Sequence, residues 1–468
     1  MQNQRKKSNK RNEPLTAFLD EYAGASVARF HMPGHKGRGR ALHGAAQRDI
    51  TEVAGADNLL SPTGILLDAQ RETAAFYGTT QTWFTTGGAT AAMLAAITSL
   101  PPDALLFVPR NAHKSAISAL ALSGHEAVFL PAVYDADGRC PLPNVESLRG
   151  VLAVHPNRCR ALLLTRPDYY GRCADIEGIA ALCDEENVVL LVDEAHGAHF
   201  ALSGALPLHA VPYADIVINS AHKTLDAPNQ TAYLHRGQAN HTGSPSPDQL
   251  GRNLALFQTS SPSYPHLEAM ATAWCDQKEA WERHIASLYE WTDTLPGVWR
   301  DALRMGYAGE DATVFDPTRL SFDVATLGWT GYQADEWLRQ RGVMMEMADE
   351  RRVVGITSPL DDPAWYDRLR AALLALPIRD AHASAVAAAF PIPERAMRVR
   401  DAVQCTVERV ELDRAEGRIC AQSVGIYPPG AAVLTPGERI DADMLRWLAE
   451  KKREGAEIFG VPLLCVVE

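Results

Sequence analysis

Short, unbroken apolar runs recur through the first half of the chain: Ala104 to Pro109, Ala161 to Thr165, Val188 to Val192 and Ala214 to Asn219. Hydrophobicity that is continuous rather than alternating marks strands buried on both faces, as in a parallel sheet. Helical stretches lie between them. One runs from Ala91 to Ile97 behind a Gly-rich segment, Thr85 to Thr90, and another begins within Arg110 to Ser115. The order strand, helix, strand, helix from about Gly78 to Tyr233 predicts an α/β fold, a mostly parallel sheet covered on both faces. Ligands in such sheets bind beyond the carboxyl ends of the strands, so polar residues at those ends are where chemistry is expected.

The pattern changes on either side of this block. Residues 1–13 are polar and basic with no apolar core, which predicts a disordered tail and no secretory signal. Residues 14–77 read as an arm, with a short amphipathic helix from Thr16 to Tyr22 and a loop dense in Gly, Pro and cations. The large domain is expected over 78–286, closing with a long helix from His266 to Ala286. A smaller α+β domain follows over 287–390, with strands at Leu320 to Val324 and Val343 to Met347 and helices at Tyr332 to Arg341 and Trp365 to Leu376. A Pro/Ala-rich joint near Pro391 to Pro393 opens a C-terminal domain over 391–468. No internal repeat is present.

Candidate chemistry sits at two predicted strand ends. Lys223, in Ser220-Ala221-His222-Lys223-Thr224, follows one apolar run, where an apolar shell lets a lysine give up its proton and act as an amine nucleophile. That suits covalent attachment of pyridoxal phosphate (PLP). Asp193 ends the preceding run, where a carboxylate can pair with a pyridine nitrogen and keep it protonated. Ser220, His222 and Thr224 add hydrogen-bonding groups that suit a phosphate. Gly88, Ala89 and Thr90 open a helix, a favourable place for an anion.

Composition narrows the reading. A net charge of −12 argues against nucleic acid and mildly favours a cationic substrate. The 8 cysteines are scattered without a CxxC pair, which predicts reduced thiols in a cytoplasmic protein and no metal site. No stretch has the ~18 consecutive apolar residues of a membrane span.

The segments HMPGHKG (31–37), ADNLLSPTGIL (56–66), RNAHKS (110–115), DYYG (168–171), VDEAHGAH (192–199), SAHKT (220–224), SSPSY (260–264) and YPPG…TPGE (427–438) resemble, in order, the PLP-dependent ornithine/lysine/arginine decarboxylases of fold type I. The resemblance implies PLP as cofactor and decarboxylation of a basic amino acid, arginine first, then lysine or ornithine. It implies a homodimer, with higher assembly an option, and the short form that lacks an extra N-terminal domain. It makes Lys223 the cofactor lysine, Asp193 its ring partner, His113 a flat cover on the ring, and His222 a neighbour of phosphate and lysine. His196 and Ser220 are expected to touch the cofactor. Ser260 is expected to reach across the dimer, and His35 to lie on an arm near the active site. Asp57 and Glu438 are candidates for the substrate's cationic end, with solvated acid and helix cap as the plainer readings. Arg166 stands where the family has a small residue, so it alters substrate fit or faces solvent. Two alternatives stay open: another PLP reaction on the same fold (aminotransfer, elimination or oxidation), and a non-catalytic binding relative.

Overall fold

The computed structural model describes residues 28–30, 52, 56–130, 139–156, 158–307, 314–379, 392–427, 431–461 and 463–467. The basic tail, the helix expected at Thr16 to Tyr22 and the HMPGHKG loop with His35 lie outside the described residues.

Helix α1 (Ile65–Tyr77) leads into a seven-stranded sheet. Its strands are β1 (Gln81–Thr85), β2 (Leu105–Val108), β3 (Glu126–Phe129), β4 (Arg160–Thr165), β5 (Val189–Asp193), β6 (Ile216–Ser220) and β7 (Ala232–Arg236), in the spatial order β1-β7-β6-β5-β4-β2-β3. Only β7 runs against its neighbours. The inner strands are apolar throughout because both faces are covered. Leu106, Leu163, Leu191 and Ile218 point into one core, with helices α2 (Gly88–Thr98) and α3 (Lys114–Ser123) packed on it. Phe107, Leu164, Val192 and Val217 point into the other, under α4 (Val145–Ala153) and α5 (Ile176–Glu186). The period of two along each strand sends alternate residues to opposite cores.

The helix expected from His266 to Ala286 is two helices, α6 (Tyr264–Thr272) and α7 (Lys278–Asp293). Asp276 between them has φ 53°, a left-handed conformation that no α-helix carries through. Beyond α7 lies a three-stranded antiparallel sheet, β8 (Arg319–Asp323), β9 (Met347–Ala348) and β10 (Arg352–Ile356), with β10 in the middle, where a smaller α+β domain was expected. The run expected as one strand, Val343 to Met347, divides: Val343–Met344 pairs in parallel with Ala28–Arg29, and β9 pairs with β10. Helices α8 (Gly331–Arg339) and α9 (Pro363–Leu374) cover this sheet. The C-terminal residues add two small antiparallel sheets, around Val407–Glu411 and Val424–Tyr427, and helix α10 (Ala442–Glu454) on their own apolar cluster.

Candidate active site

The parallel strands end together. Thr165 at the end of β4 is the register partner of Asp193 at the end of β5, and β6 ends beside them at Ser220. Past Ser220 the chain makes one helical turn, Ala221–Thr224, pinned where Ala221 N–H donates to the Thr231 carbonyl at 3.0 Å. That turn carries Lys223 into a cavity of about 520 Å³ at the strand ends. The Lys223 Nζ lies 2.8 Å from His196 Nε2.

Electrostatics shift Lys223 towards its uncharged form. Burial pushes the Lys223 pKa down, Asp193 and Glu346 pull it up, Arg319 pushes it down again, and the net shift is downward. Asp193 is 6% exposed, and burial raises its pKa against the pull of Lys223 and the Ala195 N–H. The two shifts agree: desolvation disfavours charge on both partners more than their attraction favours it. Asp193 Oδ1 accepts from Ala195 N–H at 3.2 Å. Among the described residues Oδ2 has no protein donor, which leaves an oxygen for a cationic ring nitrogen.

Helix α3 begins at Lys114, four residues later than Arg110, and His113 is its cap. The His113 Nδ1 accepts from Ser115 N–H at 3.2 Å and meets the Ser115 hydroxyl at 2.9 Å, which fixes the ring facing the cavity. Burial first, then Lys223 and Lys114, lower its pKa to about 4, so the imidazole is neutral. His113 thus both caps α3 and lines the cavity. His222 lines the cavity with its Nδ1 2.9 Å from the Thr231 carbonyl.

Gly87, Gly88, Ala89 and Thr90 line the cavity where α2 starts. Gly88 departs from expectation. Its φ is 66°, and its N–H donates to the Gln230 carbonyl at 2.8 Å instead of pointing at an anion. The amides of Ala89 and Thr90, in the first turn, have no acceptor within the helix and are the ones available.

Three expectations are corrected, for Asp57, Glu438 and Arg166. Asp57 lies outside the cavity wall; its carboxylate accepts the N–H groups of Asn58, Thr63, Gly64 and Leu66 and anchors the start of α1. Slight burial opposes ionisation there, but those four donors outweigh it and hold the carboxyl at about 2. Glu438 is neither a rim acid nor a helix cap; it is fully buried between Arg110 and Arg395. Arg166 neither faces solvent nor lines the cavity. It is 1% exposed, donating to the carbonyls of Ala174 and Leu208 beside Glu194. Ser260 is exposed on the surface, away from the cavity wall of its own chain.

The small and C-terminal domains supply residues that sequence patterns did not single out. Tyr332, Asp349 and Glu350 come from the former, and Trp447 and Lys451 from α10. Asp349 is occupied by Tyr170 and the Arg351 and Arg352 N–H groups, and Asp168 by Arg172. Glu350 instead holds Lys451 Nζ at 2.5 Å. Tyr169 packs its ring edge-on to His196 and donates to Glu346 Oε1 at 2.6 Å. The acidic cluster Glu346, Asp349 and Glu350 after a strand end was the available signal.

A family profile described as Orn/Lys/Arg decarboxylase, major domain, matches residues 13–290, and the profile of that family's C-terminal domain matches residues 382–460. The chain belongs to the Orn/Lys/Arg decarboxylase family. An arginine decarboxylase of Halalkalibacterium halodurans is 32% identical over 97% of this chain and 96% of its own length. The constitutive lysine decarboxylase of E. coli superimposes with a TM-score of 0.73 at 17% identity, over 97% of this chain and 77% of that one. A structure of SPT with PLP superimposes with a TM-score of 0.55 at 15% identity, over 75% of this chain and 86% of that one. This member of the family is thus a PLP-dependent decarboxylase on the fold type I scaffold.

The decarboxylase cavity fits PLP by its own chemistry. The hydroxyls of Ser220 and Thr165 are buried in its wall with no partner among the described residues. Buried hydroxyls left unpaired are costly, so a ligand that supplies acceptors belongs there. Asp193 offers an oxygen for a cation and Lys223 an amine. Among the described residues no cluster of His, Cys, Asp or Glu forms a metal site, and no helix is long and apolar enough to cross a membrane.

Proposed function

We propose that this decarboxylase acts on arginine, with Lys223 carrying PLP and Asp193 holding the ring nitrogen protonated. The observation that carries the substrate choice is the near full-length likeness, at 32% identity, to an arginine decarboxylase. When bound, PLP supplies an electron sink for the pair released as the α-carboxylate leaves as CO2. The chain's own residues do the rest. Ala89 and Thr90 N–H groups, with Ser220, take the phosphate. His113, neutral and fixed by Ser115, covers the ring face. Lys223, uncharged when free, takes up the proton shed by the substrate's ammonium and delivers it to the reacting carbon once CO2 has left.

Glu350 fits the far end of the substrate. A carboxylate binds a guanidinium through two parallel hydrogen bonds, which the single ammonium of Lys451 does not use. Arginine therefore replaces Lys451 on Glu350. The exposed Ser260 and Ser261 support a homodimer in which their segment reaches the neighbouring subunit's phosphate site, and the free thiols support a cytoplasmic location.

Incubating the protein with arginine, lysine and ornithine separately, and measuring CO2 and the product amine, tests the reading. Arginine should turn over fastest with equal CO2 and amine. A keto acid product, or faster release from lysine or ornithine, overturns it.

A further inference from the structure

Behind His196, on the side away from Lys223, lies Arg319. It begins β8 in the small domain and is fully buried. Its Nη2 is 3.0 Å from His196 Nδ1 and 3.2 Å from the His196 carbonyl oxygen. The place is built for it. Gly171 has φ 91°, and a Cβ there would stand 2.7 Å from the Arg319 Cγ, so only glycine lets the side chain through. Asp316, itself buried, places Oδ2 4.0 Å from Arg319 Nε and is held in turn by His199 and Thr318. Both histidines of the 196–199 motif are thus spent on one short segment, 316–319.

The three groups in line have few ways to share hydrogens. A guanidinium donates and never accepts. Nδ1 of His196 must therefore be the acceptor, and a neutral imidazole then carries its hydrogen on Nε2. An Nε2–H facing Nζ at 2.8 Å needs an acceptor, and an ammonium has no lone pair to give. The reverse arrangement, an ammonium donating to Nε2, sets an Nδ1–H against the Arg319 N–H groups, donor against donor. A doubly protonated His196 would place three cations in contact without solvent. Burial and the neighbouring cations hold the His196 pKa well below the usual range, in keeping with this.

We propose that Arg319 is a positioning residue: by donating to His196 Nδ1 it fixes the ring's hydrogen on Nε2, and that hydrogen requires Lys223 to be an uncharged amine whenever it is free. An uncharged amine is the form that can attack a carbonyl. The inference gains its use from the reading of Lys223 as the cofactor lysine, but the hydrogen-bond order itself does not depend on that reading.

The test uses the full-length chain freed of cofactor. Nitrogen-15 NMR of labelled histidine reports which nitrogen of His196 holds the hydrogen, and peptide mass spectrometry reports the pH midpoint for acylation of Lys223. Expected are Nε2–H in the unmodified chain and an acylation midpoint below the ordinary lysine range. Arg319→Met should release the tautomer and raise the midpoint by about one unit or more, whereas Arg319→Lys, which keeps a donor, should stay within about half a unit of the parent. Hydrogen on Nδ1 in the unmodified chain, an unmoved midpoint in Arg319→Met, or an equal rise in both variants overturns the proposal. Should Arg319→Met not fold, the tautomer of the unmodified chain and the Arg319→Lys midpoint decide it. Borohydride-trapped PLP on a different lysine would defeat the functional reading of Lys223 and leave the tautomer result standing.

Discussion

Arg110 and Glu438 meet at 2.7 Å with both side chains sealed from solvent, Arg110 just past β2 and Glu438 in the C-terminal domain. Arg395 shares the same carboxylate at 3.2 Å, and the Phe129 ring lies 4.8 Å from one guanidinium carbon and 4.4 Å from the other. This is a domain joint, not a substrate contact. Glu438→Gln leaves the buried Arg110 and the half-buried Arg395 short of their counter-charge, a loss of about 3–5 kcal/mol in urea denaturation. KM of the folded fraction should hold. A tenfold rise in KM at unchanged stability would return Glu438 to the active site.

Lys223→Ala removes the amine at the cavity floor. Borohydride reduction of the holoenzyme should fix PLP on the peptide containing Lys223, and the variant should show no such product. Label on Lys114 instead would contradict the assignment.

Asp193→Asn keeps the shape of the strand end and removes the charge. Stripping one partner from a buried charged pair typically costs about 3–5 kcal/mol, equivalent to roughly 10²–10³-fold or more in turnover at about 1.4 kcal/mol per tenfold. The variant should still bind PLP. Steady-state turnover near the parent value would rule out the role.

Glu350→Gln weakens the grip on a guanidinium. A hydrogen bond to a charged group is worth about 1.5–3 kcal/mol, so KM for arginine should rise roughly 10- to 150-fold while kcat changes little. Lys451→Met, which removes the competing ammonium, should lower KM. An unchanged KM in both variants places the substrate's cationic end elsewhere.

The pair His241–Asp215 predicts a pH dependence of stability. His241 Nδ1 lies 2.7 Å from Asp215 Oδ2, and Nε2 lies 2.9 Å from Asp184 Oδ1. The hydrogen bond to Asp215 raises the His241 pKa against burial. Burial opposes ionisation of Asp215, but its hydrogen bonds with His241 and the Leu190 N–H outweigh it and lower its pKa. The histidine's contribution is complete below its unfolded value of about 6.5 and fades as pH rises through the raised folded value; the aspartate's is complete above about 4 and fades as pH falls. Urea midpoints across pH should be highest between those limits, and His241→Gln should flatten the decline on the alkaline side. A decline of the same slope in the variant would assign it to other groups.

The sequence alone determined the central sheet and the two residues at its heart. A strand buried on both faces has no polar alternation to hide in, so β2, β4, β5 and β6 stand out as apolar runs, and Asp193 and Lys223 are found by where those runs stop. Short-range structure was less legible: the helix expected from Arg110 starts at Lys114, with His113 as its cap. What depended on partners far along the chain was not legible. Asp276 breaks a helix at a residue whose type does not announce it. Glu438 and Arg166 look like surface charges until Arg110 and Glu194, brought in from distant segments, bury them. Arg319 and His196 are 123 residues apart, and Glu350 and Lys451 are 101 apart. Nothing local in RLSFD or in the sequence around Lys451 encodes those meetings. A charged side chain takes its role from the groups that share its desolvated site, and only the tertiary packing of distant segments decides which groups those are.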